Sequence, residues 1–182
     1  MIFTELSIPG VWRIDAEPSS DSRGEFARTF CADAFKERGL ASQMVQTSTS
    51  LNHKRGTLRG MHYRDAADGE AKLIRCTHGK AFDVAVDLRP DSPTYLRWTG
   101  LELSAAARNS VYLPPGCAHG FISLTDDTEI FYMMSAPFKP GTEKGVRWND
   151  PALGITWPIE PTVISDRDKS FPNIVVDPLQ GR

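Results

Sequence analysis

The chain has 182 residues, a formal net charge of −2, 40% hydrophobic and 24% charged residues. That suits a single soluble domain with a substantial core and argues against a general polyanion binder, because nucleic-acid domains carry a marked basic excess. The three cysteines, Cys31, Cys76 and Cys117, are widely spaced with no CxxC pair, so neither a zinc site nor a disulfide framework is expected. The N-terminus lacks the pattern of a signal peptide, and no apolar run approaches the roughly 20 residues a membrane span needs. No membrane partner and a cytoplasmic location are therefore expected.

Taken in chain order, a strand-like "EFARTF" (25–30) leads into the best helix candidate, "CADAFKERGL" (31–40), with Gly39 as its stop. "GTLRGMHYR" (56–64) reads as a strand with His62 and Arg64 on one face and Met61 and Tyr63 on the other. "AKLIRCT" (71–77) and "KAFDVAVDLR" (80–89) flank "HGK" and predict a tight hairpin. In the second run Phe82, Val84, Val86 and Leu88 share one face, while the small and acidic Ala81, Asp83, Ala85 and Asp87 share the other. That face is either a solvent face or the lining of a polar cavity. Further strands are read at 96–104, 110–115, 120–125 and 128–135. From "GVRWNDPALGITWP" (145–158) onward the chain is rich in Pro, Asp and Trp, and residues 147–182 are expected to form an irregular wrap. His53 and His78 fall in expected loops, and Trp98, Trp148 and Trp157 are read as packing residues. Short apolar runs punctuated by turn residues predict one mainly β domain over 1–182, a sandwich or barrel with a few short helices.

"PPGCAHGF" (114–121) fits P-x-G-x-x-H, which resembles the second motif of the cupin superfamily. Its physical sense is a Pro/Gly turn that delivers His119 to a barrel interior. Metal-binding cupins pair it with an earlier H-x-H, where this chain has "HYR" (62–64). Guanidinium offers no lone pair, so Arg64 cannot ligate a cation and would repel one. His62, His119 and Glu70 remain as a sparse set, and no metal site is expected.

Seven blocks then occur in order: "DSRGEF" (21–26), "TLRGMHY" (57–63), "KLIRCTHGKAFDVAVDLRPDSPTY" (72–95), "PPGCAHGFISL" (114–124), "EIFYMMS" (129–135), "RWNDPALGITWP" (147–158) and "ISDRD" (164–168). Together they resemble the dTDP-4-dehydrorhamnose 3,5-epimerase family over nearly the whole chain. The resemblance implies a cupin-type double-stranded β-helix, a homodimer that exchanges an N-terminal strand, and no metal or organic cofactor. It also implies a nucleotide-diphospho-4-keto-6-deoxy sugar as substrate.

A ketone at C4 acidifies the hydrogens on C3 and C5. Inverting such a centre needs a base on one face, an acid on the other, and a group to hold enolate charge. Imidazole, with a free pKa of about 6.5, suits the base at cytoplasmic pH. By resemblance the base is His62, its carboxylate partner Asp168, the acid Tyr132, and Lys72 a group near the sugar that polarises the C4 oxygen. His119 would pair with Asp83. Arg23 and Arg59 match contacts at the diphosphate, where a bidentate guanidinium fits, and Arg23 would reach a partner subunit's site. Gln46, Glu143 and Arg167 match further substrate contacts.

The chain departs from the family pattern at several positions. Phe138 stands where a tyrosine stacks on the nucleobase, keeping the ring face and losing a hydroxyl. Arg28 replaces a frequent glutamate, Ser48 an asparagine, Met133 a lysine, and Arg167 the more usual lysine. These bear on nucleobase and sugar identity rather than on reaction type. The alternatives are an epimerase of one centre only, one acting on a CDP- or GDP-linked sugar, a non-catalytic nucleotide-sugar binder, and a metal-dependent dioxygenase. A satisfied core histidine at 62 and a core tyrosine at 132 are the plainer readings of those residues.

Overall fold

A computed structural model describes residues 1–175; the expected wrap beyond that point, 176–182, lies outside the described residues. In chain order the strands are β1 (Ile2–Glu5), β2 (Trp12–Asp15), β3 (Ser19–Asp21), β4 (Gly24–Phe26), β5 (Gln46–Asn52), β6 (Thr57–Tyr63), β7 (Lys72–His78), β8 (Lys80–Asp87), β9 (Trp98–Ser104), β10 (Asn109–Leu113), β11 (Cys117–Ser123), β12 (Thr128–Met134), β13 (Lys144–Gly145) and β14 (Val163–Ile164). Helices α1 (Ala32–Lys36) and α2 (Asp166–Ser170) are short. One sheet runs β1-β2-β10-β7-β12-β5, the other β13-β6-β11-β8-β9 with β14 also on β6, and β3–β4 forms a separate hairpin. This is the two-sheet jelly roll of the cupin fold.

Three apolar layers follow from strand alternation. Between the sheets lie Ile74, Cys76, Ala81, Ala85, Leu103, Val111, Phe121 and Ile130. The outer face of the first sheet, with Leu73 and Tyr112, is covered by Phe35 of α1 and by Phe30 and Met44 around it. The outer face of the second, with Met61, Val84, Val86 and Ala118, is covered by Val146, Leu153 and Trp157 of the tail. The wrap expected over 147–175 is therefore a lid on a sheet, not a loose end. Trp157 is fixed there by donating its indole N–H to the Trp148 carbonyl at 3.0 Å.

Several expectations are corrected. The helix at 31–40 closes after Lys36, but Gly39 does stop it, with φ +70 and its N–H donating to the Lys36 carbonyl. Of "EFARTF" only Glu25 and Phe26 are strand, as the end of β4. The hairpin at "HGK" does not exist: β7 pairs with β10 and β12, while β8 pairs with β9 and β11. Gly79 instead carries the chain from one sheet to the other, with φ +74 and no room for a Cβ, which would stand 2.3 Å from Thr125 Oγ1. His78, expected in a loop, is the last residue of β7. β5 carried no strand signal because its "QTSTSLN" is polar on both faces, as a half-exposed edge strand can be.

The small, acidic face of β8 points into the space between the sheets, and Asp83 and Asp87 are both fully buried. The solvent-face reading is overturned. Asp87 serves the fold: it accepts from the Arg89 guanidinium (2.8 Å from each oxygen), Ser92 Oγ (2.5 Å) and Thr94 Oγ1 (2.7 Å), tying down the 88–97 loop. Burial pushes its carboxyl up, but these donors outweigh burial and hold it at about 2. Among the described residues no helix is long and apolar enough to cross a membrane.

Asp87→Ala strands a guanidinium and two hydroxyls, and should cost about 3 kcal/mol in urea denaturation at pH 7. In the parent chain, the stability Asp87 supplies is present above the unfolded carboxyl value of 3.8 and is lost as pH falls through about 2.

Candidate active site

The site begins with a fault in a β-ladder. His119 of β11 stands opposite His62 of β6, and Phe121 opposite Arg59. Two steps along β11 thus match three along β6, so β6 carries one extra residue, a β-bulge at Gly60–Met61. Gly60 has φ +118, and a Cβ there would lie 2.6 Å from Gly120 Cα, so only glycine fits both conformation and space. The bulge leaves the Gly60 N–H without a strand partner. Asp168 Oδ2 accepts it at 3.0 Å, while Oδ1 of the same carboxylate lies 2.8 Å from His62 Nε2.

Asp168 reaches that point because Ser165 caps α2, its Oγ accepting from the Asp168 N–H at 3.1 Å. Burial pushes the Asp168 carboxyl up, but the bond from His62 and then that from Gly60 hold it below the usual carboxylate range. An ionised carboxylate only accepts, so His62 Nε2 carries the ring proton and Nδ1 keeps the lone pair.

Met61 and Tyr63 pack beneath the tail while His62 and Arg64 face a cavity of about 300 Å³ at the open end of the sandwich. The second sheet supplies Arg59, His62, His119 and Phe121. The first supplies Gln46, Ser48 and Ser50 of β5, Lys72 of β7, and Tyr132 and Met134 of β12. Phe138, Thr142 and Glu143 form the lip. His62 and Tyr132 therefore enter from opposite walls.

His119 Nε2 lies 2.8 Å from Asp83 Oδ2, both nearly or fully buried. Burial raises the Asp83 carboxyl, with His119 and Lys72 opposing. Asp83 thus stands behind His119 rather than in the cavity lining. The Tyr132 ring meets that of His119 edge-on, centroids 6.1 Å apart. Burial, reinforced by the charge of Asp83, pushes the Tyr132 phenol far above its ordinary value, so it stays protonated across the neutral and mildly alkaline range.

The cations are set by carboxylates and amides. Lys72 Nζ lies 3.2 Å from Glu70, whose other oxygen meets Arg64 Nη1 at 2.8 Å. Arg59 Nε donates to buried Asn52 Oδ1 at 2.7 Å, leaving the end of its fork toward the cavity. Gln46 Oε1 accepts from the Phe138 N–H at 2.7 Å, and Arg167 Nη2 meets Glu143 at 2.5 Å, so both bonds hold the lip. The three side chains considered as a sparse metal set are separately engaged, His62 by Asp168, His119 by Asp83 and Glu70 by Arg64 and Lys72.

Besides Asp83, three expected contacts lie outside the lining, Arg167 among them in a neighbouring cleft with Asp168. Arg23 is paired with Asp21 at 2.6 Å on the β3–β4 hairpin with its side chain 87% exposed, and Arg28 sits beside Met1, Phe3 and Arg38. Met133, one of the departures, packs against the outer layer on the far side of β12 from the cavity. Sequence reading missed Ser50 and Thr142 in the lining, which lie in no motif, and gave no role to Phe121 and Met134, which lie within quoted blocks. It also missed the capping pattern S-x-x-D at Ser165–Asp168, which was visible.

A family model described as dTDP-4-dehydrorhamnose 3,5-epimerase matches residues 5–175. A dTDP-4-dehydrorhamnose 3,5-epimerase of Sinorhizobium fredii is 40% identical over 180 residues, covering 98% of this chain and 92% of that protein. The crystal structure of a 4-keto-6-deoxy sugar epimerase from the novobiocin biosynthetic gene cluster of Streptomyces spheroides superposes with a TM-score of 0.90 at 39% identity, covering 95% of this chain and 87% of that one. A 3'-monoepimerase from Streptomyces bikiniensis, solved in complex with dTDP-quinovose, gives 0.86 at 38% identity, covering 92% and 85%. The chain belongs to the dTDP-4-dehydrorhamnose 3,5-epimerase family and is an isomerase.

Asp168→Ala removes the acceptor of both His62 and the bulged Gly60 N–H, and should cost on the order of 2 kcal/mol in urea denaturation at neutral pH. Because the folded carboxyl lies below its unfolded value of 3.8, the gap between parent and variant is full above that value and closes as pH falls through the lower one.

Proposed function

We propose that the protein inverts C3 and C5 of a dTDP-linked 4-keto-6-deoxyhexose without a cofactor. The observation that carries this reading is the arrival of His62, backed by Asp168, and of Tyr132 from opposite walls of one cavity. Inversion demands that geometry, since the proton leaves one face of the carbon and returns to the other. His62 takes the hydrogen alpha to the C4 ketone, and Asp168 stabilises the resulting imidazolium. The enolate oxygen lies among Lys72 and His119, where fixed positive charge and donors are worth more than in water. Tyr132 then delivers its phenolic proton to the opposite face. Proton transfer through an enolate calls on no metal or redox partner.

The nucleotide diphosphate runs toward the lip. Arg59 meets phosphate, Phe138 stacks on the base, and Gln46, Ser48, Glu143 and Arg167 provide further contacts. Arg23 acts in a homodimer, reaching the partner's cavity. The support is that the β3–β4 hairpin stands apart from both sheets, with Phe26 75% exposed, and adds nothing to its own chain's cavity. β1, by contrast, is paired with β2 of its own chain, so the hairpin is the better candidate for exchange. The cytoplasmic location belongs to the same reading, and the free cysteines suit a reducing compartment.

Inversion of C3 alone is the second reading. The chain is as similar to the Streptomyces bikiniensis monoepimerase, at 38%, as to the 3,5-epimerase of Sinorhizobium fredii, at 40%.

Incubation with dTDP-4-keto-6-deoxyglucose in D2O, followed by NMR, separates the two. Deuterium at both C3 and C5 is expected, and deuterium at C3 only would select the monoepimerase. His62→Ala should abolish exchange, while Tyr132→Phe should keep exchange from the starting epimer and lose inversion. Absence of exchange with dTDP-, CDP- or GDP-linked 4-keto sugars at high enzyme concentration would remove the catalytic reading and leave a nucleotide-sugar binder.

A further inference from the structure

We infer that Phe171, seated in the space left open by Gly145, is a positioning residue for the His62 imidazole. The inference rests on the reading of His62 as the base. β13 pairs with β6 so that Gly145 lies opposite His62. A Cβ built on Gly145 would stand 2.3 Å from two carbons of the Phe171 ring and 2.5 Å from a third, distances that real Cβ atoms do not adopt. Gly145 has no positive φ, so it is needed for room rather than for conformation. The ring fills that room and packs edge-on against His62, with centroids 5.7 Å apart and planes at 81°.

Phe171 is itself held. It follows directly on α2, where the backbone turns extended. The Arg147 N–H donates to the carbonyl of neighbouring Pro172 at 3.1 Å, and the Arg167 guanidinium lies 5.6 Å from the ring centroid. A short stretch of chain thus makes two contacts with one imidazole: Asp168 holds Nε2 by a hydrogen bond, and Phe171 packs against the ring. The hydrogen bond alone leaves the imidazole free to rock about the N···O axis. Packing against a rigid ring removes that freedom and keeps Nδ1 aimed, which matters because a base displaced by about 1 Å loses roughly a hundredfold in rate. Phe171 is not among the residues lining the cavity, so its loss should leave KM nearly unchanged.

The test is a double-mutant cycle on the intact enzyme, with kcat and KM measured separately and folding checked by thermal melting. Phe171→Ala should lower kcat roughly ten- to a hundredfold with KM within about twofold, and Phe171→Leu should recover most of the loss. Gly145→Ala alone should push the ring aside and lower kcat similarly, but add nothing in the Phe171→Ala background, since the obstructing ring is gone. In the ligand-free Phe171→Ala protein the His62 ring signals should broaden in NMR, a readout independent of turnover. The inference is overturned if folded Phe171→Ala keeps kcat within twofold of the parent, or if the two losses multiply. Failure of the underlying reading looks different: His62→Ala would then still exchange substrate hydrogens.

Discussion

One carboxylate organises this site. Asp168 answers two needs with its two oxygens, the stranded N–H of the Gly60 bulge and the Nε2–H of His62. Neither partner is adequate without the other. The bulge turns β6 so that His62 faces the cavity, and it creates the unpaired donor that draws the carboxylate in. An unsatisfied N–H in this buried ladder would cost on the order of 1–3 kcal/mol. The same carboxylate that repairs the sheet through Oδ2 therefore fixes the histidine's tautomer through Oδ1. Stability and the candidate chemistry are coupled at one carboxylate, which the capped turn at Ser165 carries to the bulge.

Two histidine–aspartate pairs flank one cavity, set opposite each other by the β6–β11 ladder. Their environments push the carboxylates in opposite directions. Asp168 has a second donor in Gly60 and is held low, whereas Asp83, fully buried with Oδ1 lacking a hydrogen-bond partner among the described residues, is raised. Similar residue pairs thus hold carboxylates of opposite tendency, set by the number of donors around each acid.

Much of this could be read from the chain before any coordinates. The alternation in "GTLRGMHYR" places His62 and Arg64 on one face and Met61 and Tyr63 on the other, as found, because strand periodicity is a local property. The pairing of β7 and β8 was misjudged for the complementary reason. "HGK" has the chemistry of a tight turn, and Gly79 does turn, but whether the chain returns to the same sheet or crosses to the opposite one depends on partners distant in sequence. The polar β5 gave no strand signal, since its pairing with β12 is what makes it a strand. Phe171 was equally hidden: an aromatic residue after "SDRDKS" says nothing until Gly145 is set beside it by the β6–β13 pairing. Motif residues were legible, and the residues that hold them in place were not.

The proposed proton-transfer mechanism has one further obligation, on which the Tyr132 environment bears. On the proposed mechanism each inversion leaves His62 protonated and Tyr132 as phenolate, and both must be reset before another centre can react. A buried phenol with Asp83 behind it is a reluctant acid, so its anion is costly and short-lived. That reluctance slows proton delivery somewhat but strongly favours recapture, returning Tyr132 to its phenol form. The position of Tyr132 between the sheets, with Asp83 behind it, therefore bears on turnover as much as on the proposed chemistry.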